Sequence, residues 1–447
     1  MRLENGQICP RFPTRLATIA QVRQAASHFI EQNPSPLASS AKYARRPHNT
    51  SFLLFSLKPT QPANDPMNDH DFHHAPDRRH GGSIKWDRYA GQDILPMWVA
   101  DMDFAAPPAI REALIRHISH GDLGYGHPPS NLAGEVIDFL AEVHGWHVDP
   151  DWIIWLPGLV SGLNLACHAF GESGVITQTP VYPPFLSAPG HAGTSLTTVP
   201  LLDRDTGWSI DHSRLATAAK PNQLLLLCNP HNPVGSSYSA ADLAQLADMA
   251  RHHDMIVCAD EIHADLLLDR QTRHIPFASQ NADAAARTVT LMSPSKTFNI
   301  PGLGGAFAIA ANSRLRHRLQ QQMAGIVPHP NRLAWIAMQA AYGDSRDWYR
   351  RLLDYLRGNL SLVSSAIDTL PAVRMHRPQA TYLAWIDCRQ LAVANPHRHF
   401  EHYGLGLSDG TDFGAPGFLR LNFGCPRSRL LDSLQRLERA VLAAGRV

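Results

Sequence analysis

Between residues 223 and 310 short apolar runs alternate with stretches whose apolar positions recur at helical spacing. QLLLLCN (223–229) reads as a buried strand. SAADLAQLADMARHHD (239–254) follows as an amphipathic helix with Ser239 as its N-cap. MIVCADE (255–261), TVTLMSPSK (288–296) and GGAFAIA (304–310) supply further strands. Upstream, the apolar run WIIWL (152–156) meets PGLVSGLN (157–164), which opens another helical pattern. Strand, helix, strand in this rhythm predicts an α/β architecture with a largely parallel sheet, and polar residues gathered at the strands' carboxyl ends mark where a ligand would sit. After about Gly325 the texture turns helical, through NRLAWIAMQAAYG and DWYRRLLDYLRGNLSLVSSAIDTL. TYLAWIDC and GFLRLNFG then add two strands, so a smaller C-terminal α+β domain is expected over 331–447. No internal repeat is visible.

The first 66 residues have a different composition, mixing proline, serine, asparagine and arginine with three acids, Glu4, Glu31 and Asp65. No continuous apolar segment follows a basic start, so a secretory signal is not indicated. An organelle transit peptide would suit the arginine-bearing, acid-poor texture; the favoured expectation is a disordered extension, or a start assigned upstream of Met67. The remaining bulk properties, 447 residues, 44% hydrophobic, 18% charged and net charge +1, describe a globular protein. They give no electrostatic reason to expect nucleic acid or membrane as a partner. No apolar run reaches spanning length, and FLLF (52–55) is far too short. The six cysteines, Cys9, Cys167, Cys228, Cys258, Cys388 and Cys425, show no CxxC pairing, which favours a reducing cytoplasm. HDFHH (70–74) is weighed as a metal site and judged better as a solvated tail.

Three strand ends carry the chemistry. Asn229-Pro-His-Asn-Pro-Val-Gly235 follows the first, Asp260-Glu-Ile-His263 closes the second, and Ser293-Pro-Ser-Lys296 follows the third. Taken singly, a proline-glycine turn is only a turn, and an acid ending an apolar strand is most often hydrogen-bonded structure. Lys296 is one of only five lysines in a chain whose positive charge is mostly arginine. Lysine can form a Schiff base or shed a proton near neutral pH, and arginine can do neither. A buried acid, a lysine and an asparagine-proline turn on adjacent strands form a far more specific signal than any one of them.

With these, PMWVADMDFAAPP (96–108), GYG (124–126), TPVYPPF (179–185) and FLRLNFGCPR (418–427) complete a pattern. From about Arg79 onward the chain resembles the fold type I pyridoxal 5′-phosphate (PLP) enzymes of the aspartate aminotransferase superfamily, and within them the MalY/PatB group of cystathionine β-lyases. The resemblance implies a large domain (121–330) on a mainly parallel sheet of the seven-stranded type. It also implies a small domain (331–447) and an N-terminal segment (79–120) packed on it. Lys296 would bind the cofactor covalently and then act as the base at Cα. Asp260 would keep the ring nitrogen protonated, Asn232 would donate to the phenolate oxygen, and Tyr182 would stack on the ring. Gly158, Leu159 and Val160 at a helix N-terminus, with Ser293, would cradle the phosphate. Tyr125 would reach the phosphate of a neighbouring subunit, implying a homodimer with shared sites. His263 stands where many aminotransferases have tyrosine, and its contact with the cofactor stays open. Arg420, in an apolar strand, needs an anion, and the substrate α-carboxylate is the expected one. Asp101 and Asp103 are expected to be structural. Aminotransferases place an arginine eight residues after the lysine; here that residue is Gly304, so the phosphate's charge partner is unassigned. The expected reaction is β-elimination from a sulfur amino acid, giving a thiol, pyruvate and ammonia. The rivals are an aminotransferase on the same scaffold and a regulatory protein that has kept the fold.

Overall fold

The computed structural model describes residues 72–370 and 372–445, all within the compact unit 66–447. The stretch expected to be a disordered extension, residues 1–66, lies outside the described residues, as does FLLF. Phe72, in the segment expected to be a solvated tail, is instead buried against Phe104, Trp348 and Tyr355. One aromatic side chain suffices to dock an otherwise polar stretch.

The central sheet has seven strands: β1 (Ile153–Leu156), β2 (Val175–Thr179), β3 (Leu196–Pro200), β4 (Leu224–Cys228), β5 (Ile256–Asp260), β6 (Thr288–Met292) and β7 (Ala306–Ile309). Their order is β1-β7-β6-β5-β4-β2-β3, and only β7 runs antiparallel to its neighbours. Every residue of β4 and β6 is buried, because helices cover both faces. On one face Leu224, Leu226 and Cys228 join the core with Leu163 and Ala166 of α1 (Leu159–Phe170). On the other, Leu225 and Leu227 meet Leu243 and Leu246 of α2 (Ala240–His252), whose first turn Ser239 and Asp242 close as a capping box. In register, Cys228 lies opposite Asp260 and Asp260 opposite Leu291, so the three strands finish side by side and their following loops open at one edge.

The C-terminal part carries a four-stranded antiparallel sheet built from Arg374–Met375, Leu383–Asp387, Phe418–Asn422 and Ser408–Asp409, in that order. Helices α3 (Arg332–Asp344), α4 (Arg346–Asp368) and α5 (Arg427–Ala444) belong to this half; α5 carries no motif that marked it in advance. The early segment is tied to it, with Leu95–Pro96 pairing in parallel with Leu405–Gly406.

Residues 98–102 are held by their carbonyls. Trp98 O accepts from Arg420 and Ser408, Val99 O from Asn422, Ala100 O from Lys296 and Tyr382, and Met102 O from Asn299 and Arg78. Side chains from both sheets therefore fix one extended strap across the strand ends. Beneath it Asp103, fully buried, meets Lys85 at 3.0 Å and Arg429 at 2.8 Å. Burial alone would raise its carboxyl, but these two cations outweigh that and hold it below the usual carboxylate range. Asp101 pairs with Arg78 at 2.5 Å and lies 3.6 Å from Lys85, so both acids are held in ion pairs.

Candidate active site

The strand-end loops and the strap enclose a cavity of about 730 Å³. Lys296, Asp260, Asn232, Tyr182, Ser293, His263, Arg420, Gly158, Leu159 and Val160 all line it. Tyr125 does not: its side chain is fully exposed, away from the cavity of its own chain.

Asp260 and Glu261 are adjacent acids with opposite fates. Glu261 turns into the core, where His274 Nε2 lies 2.8 Å away and the Phe277 N–H donates at 2.8 Å. Asp260 faces the cavity, accepting only the Ile262 N–H at 3.1 Å. Burial pushes its carboxyl up to about 7, with the Ile262 N–H and Lys296 acting in the other direction. A carboxyl so placed is suited to share its proton with a basic ring nitrogen. Lys296 Nζ donates to Ala100 O at 2.6 Å. Burial and the positive charge of Arg420 bring its ammonium down to about 8, against the pull of Asp101 and Asp260. Its amine is therefore accessible in neutral form close to neutral pH.

Arg420 is 5% exposed, and no carboxylate pairs with it among the described residues. It donates to Asn232 Oδ1 at 2.9 Å and Trp98 O at 3.0 Å, its guanidinium lies over Phe413, and its Nε has no partner. Burial lowers it to about 10. Leaving a guanidinium buried and unpaired is costly, so the arrangement calls for an anion supplied from the cavity. Asn232, its Oδ1 taken by Arg420, retains the Nδ2 hydrogens as donors. His231 beside it donates from Nε2 to Pro180 O (2.7 Å) and accepts the Tyr238 hydroxyl at Nδ1 (2.7 Å), locking the asparagine-proline loop to the loop of Tyr182. His263 is buried with Nδ1 unpartnered, and burial lowers it to about 3, so it faces the cavity as a neutral ring.

At the other end, α1 presents its first N–H groups, which have no acceptor within the helix. Ser293 is already engaged, donating to Gly305 O at 2.8 Å and accepting the Ser295 N–H at 3.1 Å. Ser295 also lines the cavity, and its hydroxyl has no hydrogen-bond partner among the described residues. Gly304 has φ 72°, and a Cβ there would come within 2.6 Å of Pro157 O. A side chain at this position would strain the turn, so this fold does not accommodate an arginine there. Gly304→Ala is expected to lower stability by about 1–3 kcal/mol, read as a fall in the urea midpoint; an unchanged midpoint would refute the assignment. Helix N–H groups and hydroxyls thus gather at this end of the cavity, and these residues, with the buried acid and the lysine, fit PLP.

The class I and II aminotransferase family matches residues 92–437. The chain belongs to this family. Over 378 residues it is 39% identical to cystathionine β-lyase PatB of Bacillus subtilis, covering 80% of this chain and 96% of PatB. The crystal structure of OvoB superposes with a TM-score of 0.82 at 43% identity, covering 84% of this chain and all of that one. Cystalysin from Treponema denticola, whose structure contains PLP, gives a TM-score of 0.79 at 31% identity, covering 84% and 100%.

Sequence reading missed Trp98, Ser161, Ser295, Ser408 and the loop carrying Asp409, Asp412 and Phe413. Trp98, Ser161 and Ser295 each lie inside a quoted motif, PMWVADMDFAAPP, PGLVSGLN and SPSK, whereas Ser408 and the loop after it lie in none.

Proposed function

We propose that this protein is a PLP-dependent carbon–sulfur β-lyase acting on S-substituted L-cysteines such as L-cystathionine. The reading rests on one observation: Lys296, Asp260 and the carboxylate-free Arg420 converge on a single cavity. Relatives named as cystathionine β-lyases favour elimination over amino transfer.

Bound PLP supplies the electron sink that acidifies the substrate Cα–H and allows a group on Cβ to leave. Arg420 binds the substrate α-carboxylate through its forked donors, completing the charge that the fold leaves uncompensated. Lys296 would anchor the cofactor through its Nζ, and its neutral amine would take the Cα proton of the substrate. The Cβ–S bond breaks with its electron pair going to sulfur. Asp260 would hold a proton at the ring nitrogen, Asn232 would donate to the phenolate oxygen through Nδ2, and Tyr182 would pack against the ring. The helix N–H groups of Leu159 and Val160, next to Gly158, would receive the phosphate together with the Ser295 hydroxyl, and Ser293 would join them by turning its hydroxyl away from Gly305 O. The released enamine hydrolyses to pyruvate and ammonia; from L-cystathionine the departing thiol is homocysteine. Thiol and pyruvate in equal amounts from L-cystathionine support the proposal, and the absence of both from PLP-loaded protein refutes it.

The lysine's lowered pKa sets a pH dependence. Only the neutral amine captures added PLP, so the capture rate should rise about tenfold per pH unit below 8 and level off above it. Because Arg420 pushes the lysine down, Arg420→Gln should move that midpoint upward. Stopped-flow absorbance from pH 6 to 9 measures both; a flat profile would contradict the assignment.

A homodimer with shared sites fits the fully exposed Tyr125 and the exposed Ile115, Ile118 and Leu123 near it in sequence. The five described cysteines are free and buried, in keeping with a cytoplasmic setting, and no helix among the described residues is long and apolar enough to cross a membrane.

A further inference from the structure

Beyond Arg420 the cavity continues to a rim whose charges the reaction itself does not use. Arg88 stands on one side, its guanidinium stacked over Trp98 at 4.6 Å and 41% exposed. Its nearest carboxylate, Glu401, is 3.8 Å away and already accepts the Tyr89 hydroxyl at 2.6 Å. Asp409 and Asp412 also line the cavity, and neither forms an ion pair among the described residues. Asp409 Oδ1 accepts the Thr411 N–H at 2.9 Å, which fixes its direction and leaves Oδ2 open. These residues are anchored close to the α-carboxylate position. Ser408 is in register with Arg420, Phe413 lies under the Arg420 guanidinium, and the Trp98 carbonyl accepts from it. A substrate carboxylate seated on the buried, carboxylate-free Arg420 would therefore lie beside this rim, in the same cavity.

Resting on the lyase reading above, we infer that Arg88, Asp409 and Asp412 form a specificity subsite for a leaving thiol that carries its own amino-acid zwitterion. Arg88 takes the distal carboxylate, its stacked guanidinium keeping the planar fork presented. Asp409 and Asp412 take the distal ammonium. A hydrogen or short alkyl group on sulfur meets none of these charges, so L-cysteine and S-methyl-L-cysteine gain nothing from the rim. The residues act on binding of the leaving group, not on Cα–H cleavage.

The two signs of charge can be tested separately on the PLP-loaded enzyme. S-(2-carboxyethyl)-L-cysteine carries only the distal anion, S-(2-aminoethyl)-L-cysteine only the distal cation, and S-methyl-L-cysteine neither. Arg88→Gln should lower kcat/KM for the carboxyethyl substrate about tenfold more than for the methyl one, through KM. Asp409→Asn with Asp412→Asn should do the same for the aminoethyl substrate, and L-cystathionine should suffer from both sets. Equal losses across the substrates, or no loss on the charged ones, overturn the subsite while pyruvate formation upholds the lyase. No pyruvate from any of the four with wild-type enzyme overturns the lyase reading and the subsite with it.

Discussion

Lys296→Ala is expected to reduce pyruvate release from L-cystathionine by about four orders of magnitude, since it removes both the covalent anchor and the base. The variant should fold, because the lysine opens on the cavity and its one hydrogen bond is to Ala100 O. It should also lose the near-visible absorbance of lysine-bound cofactor while still binding PLP through the phosphate end. Retained absorbance with full turnover would remove Lys296 from the mechanism. A strap loosened by the lost Ala100 contact is a smaller effect, since Tyr382 donates to the same carbonyl at 3.0 Å.

Asp260→Ala is expected to lower kcat about a thousandfold, with cofactor affinity changing far less. The reasoning is electrostatic. A buried ring nitrogen without a neighbouring carboxylate prefers its neutral form, which is a poor electron sink. Asp260 lines the cavity with its proton affinity already raised by burial, so it would share a proton with a bound ring without rearrangement. Asp260→Asn, which keeps the shape and loses the charge, should be as slow as the alanine variant. If the asparagine variant keeps wild-type kcat, the role is packing and the electronic argument fails.

Much of the catalytic half was legible because local chemistry and fold agree there. The runs ending at Cys228, Asp260 and Met292 are buried on both faces, so their apolar continuity survives in one chain, and the loops after them carry Asn232, His263 and Lys296. Ser239 as a helix cap was readable for the same reason. The direction of β7 was not readable, since an apolar run of four residues carries no sign of orientation. The strap at 98–102 was recognisable as a motif, but its partners Tyr382, Ser408 and Asn422 lie about three hundred residues away. Contacts of that separation leave no periodicity behind. The rim residue Arg88 lies more than three hundred residues from Asp409 and Asp412 in the chain, and only the fold shows that they share a cavity. Tyr125 is fully exposed and does not line the cavity of its own chain, so the contact expected of it with a neighbouring subunit left no trace in this fold.

The central claim is elimination, and it is tested most directly by counting turnovers with L-cystathionine as the sole substrate. The PLP-loaded enzyme, given no keto acid, should release many moles of pyruvate and homocysteine per mole of protein while its cofactor spectrum returns to the starting form. An aminotransferase would stop after at most one equivalent, with the cofactor left in its amine form, and would resume only when a keto acid was added; that result would contradict the account.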